Sequence, residues 1–277
     1  MAFAMRGAPE RANHALFPPP FSLLPTVMSS IIAMDFDGVI CDSAPENAAT
    51  AWRCCCRLWP ERFSMPMPAE QPARFCGELR PYMETGWQSI MQTYGLWKGV
   101  PLKDLTSGLA EALPRLLEET GQTVASLKAL FGVERDAWLR QDAEGWYSYN
   151  AFYDGVREGL AKLMADRRVV ILTTKEGRFV EHLMSREGID FPVDDIYGLE
   201  RIRNKETTLK ELLGLGTLAF IEDRLATLER VAALPELDSV KLCFAPWGYT
   251  TPAQVASARV NPRVTVIESP LQFNMIP

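Results

Sequence analysis

Histidine is scarce in this sequence, since only His14 and His182 occur among 277 residues. Catalytic centres that depend on histidine, such as nucleophile triads or metal sites built from several imidazoles, are therefore not expected. Three of the six cysteines are consecutive, at positions 54–56. This spacing suits neither a disulfide framework nor the Cys-x-x-Cys pairs of zinc sites. We therefore expect buried, reduced thiols in a cytoplasmic protein.

Net positive charge and long apolar stretches are also missing. The 29 basic residues are outnumbered by 35 acidic ones, which gives a formal net charge of −6. A nucleic-acid partner is not expected, because binding phosphate backbones requires a basic surface. No apolar run approaches the roughly 20 residues that span a bilayer, so we expect no membrane association. The composition predicts a globular protein with two domains. A small anionic partner is compatible with the net charge if a metal and a few basic residues are gathered locally. We expect a monomer or a homodimer.

Residues 1–29 contain five prolines and show little hydrophobic periodicity. They are predicted to form a flexible N-terminal extension ahead of the first strand. A role in organelle targeting is the less favoured alternative, because Glu10 is acidic and serine is nearly absent before position 22.

The most informative segment is residues 31–43, in which a short apolar run ends in Asp35, Asp37 and Gly38. The run is typical of a buried parallel strand, whose carboxyl end lies at the edge of the sheet where ligands bind. Strand periodicity places Asp35 and Asp37 on the same face. Two carboxylates so close together indicate a bound cation, or a nucleophile beside a general acid. An ordinary polar turn is the alternative interpretation of this short motif.

The middle of the chain has helical periodicity, which predicts helices at 44–62, about 83–97 and 106–131. From about residue 154, short apolar runs alternate with amphipathic segments, as in a parallel sheet with crossover helices. The predicted strands are 169–172, 195–199, 218–221, 239–244 and 264–268, and the predicted helices include 176–186, 205–213 and 224–233. The sequence therefore predicts a doubly wound, Rossmann-like α/β core (residues 30–44 and 154–277) that carries an inserted helical cap (residues 45–153).

Polar residues follow the core strands, and their types suit one reaction. Thr173 and Thr174 follow the second core strand, Lys205 begins a helix, and Glu222 and Asp223 follow a later strand. In a doubly wound sheet these ends share one edge, so we expect them to converge on the carboxylates of the first strand.

Together these residues meet the requirements of phosphoryl transfer, which are a nucleophile, neutralisation of the phosphate and an acid for the leaving group. Asp35 can attack phosphorus. Mg²⁺ prefers oxygen ligands, which Asp35, the Asp37 main-chain carbonyl and Asp223 can supply. Lys205 and Thr173 can hold the remaining phosphate oxygens.

Four motifs occur in the following order along the chain: Asp35, Asp37, Gly38, Asp42 and Ser43; Thr173, Thr174 and Lys175; Lys205; and Glu222 with Asp223. In this order, residues 31–43 and 155–230 resemble the haloacid dehalogenase-like hydrolase superfamily, in its capped aspartyl-phosphate phosphatase branch. The resemblance implies a Mg²⁺-dependent phosphatase, similar to phosphoglycolate phosphatases, that acts on a small phosphorylated metabolite. It further implies that Asp37 is the general acid and base, and that Thr173, Thr174 and Lys205 bind phosphate.

The chain departs from the family pattern at the fourth motif. Glu222 stands where many members have Gly, and Thr227 stands where they have a second acid. We expect Glu222 to substitute through water, so that the metal residues are Asp35, Asp37, Glu222 and Asp223.

The helical block is expected to select the substrate, with Arg53, Arg80 and Glu84 as candidate contacts. Lys175 is expected beside the site or at its entrance, and Asp42 is expected to cap the first inserted helix. Phosphoglycolate, sugar phosphates and nucleotides all remain compatible with the sequence.

Three rivals arise within the superfamily. A dehalogenase is disfavoured because Asp37 is present, and a phosphonatase is disfavoured because no lysine precedes Lys98. A sugar phosphomutase remains an alternative. The alternative that is not an enzyme is a non-catalytic binding or assembly module on the same fold.

Overall fold

The structure is a computed structural model that describes residues 29–276. The predicted N-terminal extension lies outside the described residues, except for Ser29. A parallel six-stranded sheet forms the centre of the molecule, in the order β5-β4-β1-β6-β7-β8. Its strands are β1 (Ser29–Met34), β4 (Arg168–Leu172), β5 (Ile196–Tyr197), β6 (Gly216–Glu222), β7 (Lys241–Phe244) and β8 (Val264–Val266), while β2 (Cys41–Asp42) and β3 (Ala151–Phe152) form a separate antiparallel pair. The predicted α/β fold class is confirmed.

Twelve α-helices accompany these strands within residues 29–276. They are α1 (Ala44–Leu58), α2 (Glu70–Arg74), α3 (Gln88–Lys98), α4 (Leu102–Leu105), α5 (Leu109–Thr120), α6 (Val124–Gln141), α7 (Ala143–Ser148), α8 (Val156–Asp166), α9 (Gly177–Arg186), α10 (Lys205–Leu213), α11 (Leu225–Ala232) and α12 (Pro252–Val260). Short 3-10 and π turns make up most of the remaining helical structure. None of the helices in this part of the chain has the length and apolar character needed to cross a bilayer.

The sheet is covered on both faces, as its apolar sequence predicts. Ile32 and Met34 pack into one core with residues of α8 and α9, whereas Ile31 and Ala33 pack into a second core with residues of α10 and α11. This division follows from the two-residue periodicity of a strand. With both faces of β1 buried, its C-terminal end is the part of the strand that can present polar side chains to a ligand.

Helices α1 to α7 lie between β2 and β3, and most of them share a third apolar core that includes Phe75, Ile90, Leu105 and Leu127. The pairing of β2 with β3 joins the point where the chain leaves the sheet to the point where it returns. The helical segment thus has its own packed interior and is tied to the sheet at its base.

One predicted helix is wrong in its extent. The segment 106–131 was expected to be continuous, but α5 ends at Thr120 and α6 begins at Val124. Gly121 adopts a φ of 63°, a left-handed conformation that ends helices, and Thr123 caps the next helix through the main-chain N–H of Ser126. The apolar residues keep their helical spacing across this tight turn, so the sequence pattern does not reveal the break between the two helices.

Candidate active site

Asp35 and Asp37 lie at the C-terminal end of β1, in the middle of the sheet. The main-chain N–H of Asp35 still donates to the carbonyl of Ile221, at 2.9 Å, so the strand pairing continues to this residue. Phe36, which lies between the two aspartates in the sequence, is fully buried. The chain then turns at Gly38, whose φ is 92°. This left-handed turn favours glycine. The strand and turn together hold both carboxylates at the sheet edge.

Asp35 contacts a buried lysine from a distant part of the chain. The Lys205 ammonium lies 2.8 Å from Asp35 Oδ2 and 2.7 Å from Glu222 Oε2. Burial raises the pKa of Asp35 to about 6, even though Lys205 acts in the opposite direction; nearby Glu222 raises it further. The Lys205 ammonium therefore compensates the negative charge of the Asp35 carboxylate only in part.

Asp35, Glu222 and Asp223 form a cluster of carboxylates. Each offers an oxygen atom within 4.8 Å of the others, and all three side chains are buried. Burial raises the pKa of Asp223, and the neighbouring Asp35 raises it further. Three carboxylates against the one ammonium of Lys205 leave a net negative charge in a buried site, and a divalent cation with oxygen preference fits this donor set.

The three carboxylates are not equally available to a cation. Glu222 already accepts from Lys205 and, through Oε1, from the Arg224 N–H at 3.1 Å. Asp223 accepts the Tyr249 N–H on Oδ2, at 2.7 Å, which leaves Oδ1 without a hydrogen bond from the described residues. Asp35 and Asp223 are thus the better placed of the metal ligands predicted from the sequence.

The Asp37 side chain faces a different set of partners from Asp35. Its Oδ1 accepts from the Ser43 hydroxyl at 2.7 Å and from the Lys175 ammonium at 3.0 Å. Burial alone would raise the pKa of Asp37, but Lys175, Arg80 and Arg135 together hold it below its ordinary value. The Asp37 carboxylate does not belong to the three-carboxylate cluster, so only its main-chain carbonyl stays a candidate metal ligand.

Lys175 leads to two further buried charges that connect the sheet edge to the helical segment. Its ammonium lies 3.8 Å from Glu46 Oε2, and Glu46 receives two hydrogen bonds from the Arg135 guanidinium, at 2.7 and 2.8 Å. Glu46 belongs to α1 and Arg135 to α6. A chain of alternating charges therefore runs from Asp37 into the helical segment.

The two threonines predicted to bind phosphate follow β4 at the same edge. Thr173 is almost fully buried, and its Oγ1 accepts the Lys175 N–H at 3.2 Å. Thr174 donates its hydroxyl hydrogen to the Glu84 carbonyl at 3.2 Å. Both line the cavity above the aspartates. Lys205 approaches from beside Asp35.

Two of the three candidate contacts from the helical segment reach this cavity. The Arg80 guanidinium is buried above the Tyr249 ring, 3.5 Å from its centroid, and its Nε has no hydrogen-bond partner among residues 29–276. Glu84 lines the cavity and pairs with Arg230 at 3.0 Å. Arg53 instead packs against Trp138 and is not among the cavity-lining residues. The structure therefore does not bring Arg53 to the site.

Two cavities adjoin the aspartates. The inner one is lined by Asp35, Asp37 and Arg80 among others, and its volume of about 20 Å³ is roughly that of one water molecule. A larger one of about 180 Å³ shares Asp35 with it and lies between the helical segment and the loop before α10. Lys128 and Arg203 lie on its wall, and neither forms an ion pair within the described part of the chain.

No protein-family model and no curated protein sequence matches this chain. Solved structures do. A protein described as a predicted phosphatase from Clostridium acetobutylicum has a TM-score of 0.56 and 16% identity, over 90% of this chain and 98% of its own. A predicted phosphoglycolate phosphatase from Haemophilus somnus has a TM-score of 0.54 and 15% identity, over 91% and 99% of the two chains. A candidate haloacid dehalogenase-like hydrolase from Bacteroides fragilis has a TM-score of 0.53 and 14% identity, over 87% and 98%.

The fold is that of the haloacid dehalogenase-like hydrolases. The coverage extends across both the sheet and the helical segment, so the likeness includes the cap as well as the core. At these identities the likeness establishes the fold, and the chemistry has to be argued from the residues.

Sequence reasoning missed several residues that the structure places at the site. Glu46 and Arg135 stand on helices, where charged residues are usually solvated, and Tyr249 comes from the loop after β7. Ser43 was recognised as part of the first motif, but its hydrogen bond to Asp37 was not. A charged residue on the apolar side of a predicted helix, such as Glu46 beside Ala49, is the one signal that was available.

Proposed function

We propose that this protein is a Mg²⁺-dependent phosphatase that hydrolyses a small phosphorylated metabolite through an aspartyl phosphate on Asp35. The observation that carries the proposal is the placement of Asp35, which is buried, contacts Lys205 at 2.8 Å, and belongs to the cluster with Glu222 and Asp223. With a metal bound, a carboxylate in this setting would have a cation on each side, which supports the role of nucleophile for Asp35 at this edge of the sheet.

The reaction proceeds in two balanced steps. In the first, a carboxylate oxygen of Asp35 attacks phosphorus, the bond from phosphorus to the leaving oxygen breaks, and Asp37 gives its proton to that oxygen. In the second, Asp37 takes a proton from a water molecule, which attacks phosphorus and releases inorganic phosphate from Asp35. Each aspartate thereby returns to its starting state.

The surroundings of the two aspartates suit these roles. Asp37 is ionised at neutral pH in the free protein, because neighbouring cations lower its pKa. A bound phosphate brings negative charge next to it, which raises the pKa of a carboxyl group and favours the protonated acid. Lys205 and the Thr173 hydroxyl are placed to contact the phosphate oxygens.

Asp35, Asp223 and the Asp37 main-chain carbonyl would hold Mg²⁺, with Glu222 acting through water. Bound there, the ion would neutralise phosphate oxygens and favour the ionised, nucleophilic form of Asp35. Glu222 is engaged by Lys205 and by the Arg224 N–H, so its part in metal binding is indirect.

The cap supplies the contacts that select the substrate. Arg80 is the candidate for binding the substrate's anionic group, because its buried guanidinium faces the inner cavity with an unpaired Nε–H among the described residues. The inner cavity is too small for a phosphomonoester, so substrate entry requires the cap to move away from the sheet edge. The adjoining cavity of about 180 Å³ is the space for the leaving group.

The experiment is a panel of phosphomonoesters, including phosphoglycolate, sugar phosphates and nucleotides, assayed for phosphate release at millimolar Mg²⁺. We expect Mg²⁺-dependent turnover by the wild-type protein and loss of at least about 10³-fold with Asp35→Asn, since the nucleophile is removed. Arg53→Gln is the matched control, because Arg53 lies outside the cavity.

The same panel separates the alternatives. A sugar phosphomutase would convert a sugar monophosphate into its isomer when a bisphosphate primer is present, with little release of phosphate. A non-catalytic module would release no phosphate from any member of the panel. Activity retained by Asp35→Asn would contradict the proposed mechanism.

A further inference from the structure

We propose that Glu46 and Arg135 are positioning residues that hold Lys175, and through it orient the Asp37 carboxylate toward the leaving group. This inference rests on the proposed phosphatase activity. It assigns a task to two buried charges that neither the reaction steps nor metal binding requires.

The contacts form one continuous series. Arg135 binds Glu46 with two nitrogens, Nε to Oε1 at 2.8 Å and Nη2 to Oε2 at 2.7 Å. Glu46 Oε2 lies 3.8 Å from the Lys175 ammonium, which in turn lies 3.0 Å from Asp37 Oδ1. Thr50 donates to Glu46 Oε1 at 2.6 Å and so fixes the same carboxylate. The side chains of Glu46 and Lys175 are completely buried.

The series decides which oxygen of Asp37 stays available. Oδ1 accepts hydrogen bonds from the Ser43 hydroxyl, at 2.7 Å, and from the Lys175 ammonium, at 3.0 Å. Oδ2 has only a long contact with Lys175, at 3.4 Å. Because one oxygen is anchored by two donors, the other is free to exchange a proton with the leaving group. Displacing Lys175 would let the carboxylate rotate away from this orientation.

A purely structural role explains these charges poorly. Taking a carboxylate and a guanidinium out of water is costly, and a well-packed apolar pair gives similar or greater stability. The ion pair occurs where helix α6 comes close to the sheet edge. At Gly132, one turn before Arg135, an added Cβ would lie 2.4 Å from Glu176 Oε1, next to Lys175 in sequence. Arg135 Nη1 also lies 3.6 Å from Glu176 Oε2. The cap helix is thus seated where Arg135 can act on the residues around Lys175.

The test compares two leaving groups. An alkyl phosphate such as glycerol 2-phosphate needs its leaving oxygen protonated, whereas p-nitrophenyl phosphate has a leaving group that is stable as an anion. kcat/KM for each reports the step in which Asp35 is phosphorylated. For Glu46→Gln we expect kcat/KM on the alkyl ester to fall about 10- to 100-fold, a part of what a positioned acid contributes, and about threefold or less on the aryl ester.

A second variant, Thr50→Val, keeps every charged group in place, so it tests the proposal even if Glu46→Gln fails to fold. Thr50→Val removes only the hydrogen bond to Glu46, and it should lower the alkyl-to-aryl ratio of kcat/KM by a few fold. Ser43→Ala, which removes the other anchor of Asp37 Oδ1, should give the same selective loss. Asp136→Asn is the control on the same helix, since Asp136 pairs with the partly exposed Arg178 and should leave the ratio unchanged.

The outcomes are distinct. A selective loss on the alkyl ester in Glu46→Gln or in Thr50→Val supports the positioning role. Equal losses on both esters, or an unchanged ratio in Thr50→Val and in a folded Glu46→Gln, would overturn it. If the wild-type protein hydrolyses neither ester nor any member of the panel, the proposed phosphatase activity fails, independently of this inference.

Discussion

The burial of Asp35 predicts that the ionised carboxylate of this residue destabilises the fold. In the folded protein the pKa of Asp35 rises from an ordinary 3.8 to about 6, mainly because the carboxylate is removed from water. Below pH 3.8 the group is protonated in both the folded and unfolded states, so it has no effect on their balance. Between pH 3.8 and 6 the folded protein binds the proton more tightly, and the free energy of unfolding falls as the pH rises.

The magnitude follows from the shift. About two pKa units at 1.36 kcal/mol each correspond to about 3 kcal/mol of lost stability, complete above pH 6. Asp35→Asn cannot ionise and avoids this loss. The amide oxygen can serve either the Phe36 N–H or the Lys205 ammonium but not both, so part of the gain is lost. We expect the variant to be more stable than the wild-type protein by about 1–3 kcal/mol at pH 7.5.

The assay is urea unfolding of both proteins at pH 4, 5, 6 and 7.5, in the presence of a chelator so that no divalent cation contributes. The difference in the free energy of unfolding should be smallest at pH 4 and grow until about pH 6. Asp136→Asn provides a control, because its carboxylate is partly exposed and should change stability by no more than about 1 kcal/mol. A wild-type protein as stable as Asp35→Asn at pH 7.5, or a difference independent of pH, would refute the reasoning.

Two further predictions concern the metal and the cap. Mg²⁺ should raise the Tm of the wild-type protein more than that of Asp223→Ala, because Asp223 keeps an oxygen free for a cation; equal shifts in the two proteins would rule out this ligand assignment. Arg80→Gln should lower kcat/KM by about 10- to 100-fold through the loss of a charged hydrogen bond to substrate, while Arg53→Gln should change it less than about twofold. Steady-state kinetics on the best substrate of the panel tests this pair, and equal effects of the two variants would contradict it.

The core of the site was accessible from the sequence because it depends on local rules. A short apolar run that ends in Asp35, Asp37 and Gly38 has one favoured structure, a buried strand followed by a left-handed turn. The rule that parallel strands end at one edge then brings the residues after β4 and β6 to the same place. Lys205 was placed correctly at the first position of its helix, which Asn204 caps by accepting the Thr207 N–H.

The cap residues were not accessible in this way. Arg53 and Arg80 are both basic residues of the predicted helical block, and no periodicity distinguishes the one that packs on Trp138 from the one that faces the aspartates. Glu46 and Arg135 are 89 positions apart, and their contact depends on how α1 packs against α6. Local patterns do not report such packing, because any polar residue on a helix is compatible with a solvated face.

The amino-acid sequence by itself determined the α/β sheet, the helical insertion and the residues of the candidate reaction centre, since strand periodicity, turn chemistry and strand order are local or topological properties. Only the tertiary structure decided the electrostatic state of that centre. Burial raises the pKa of Asp35 in spite of the opposing effect of Lys205, whereas Lys175 and its cationic neighbours outweigh burial at Asp37 and lower the pKa there, although the two residues are chemically identical and two positions apart. The physical reason is that desolvation and Coulomb interactions depend on which distant segments meet at the sheet edge, and this is a property of the packed molecule.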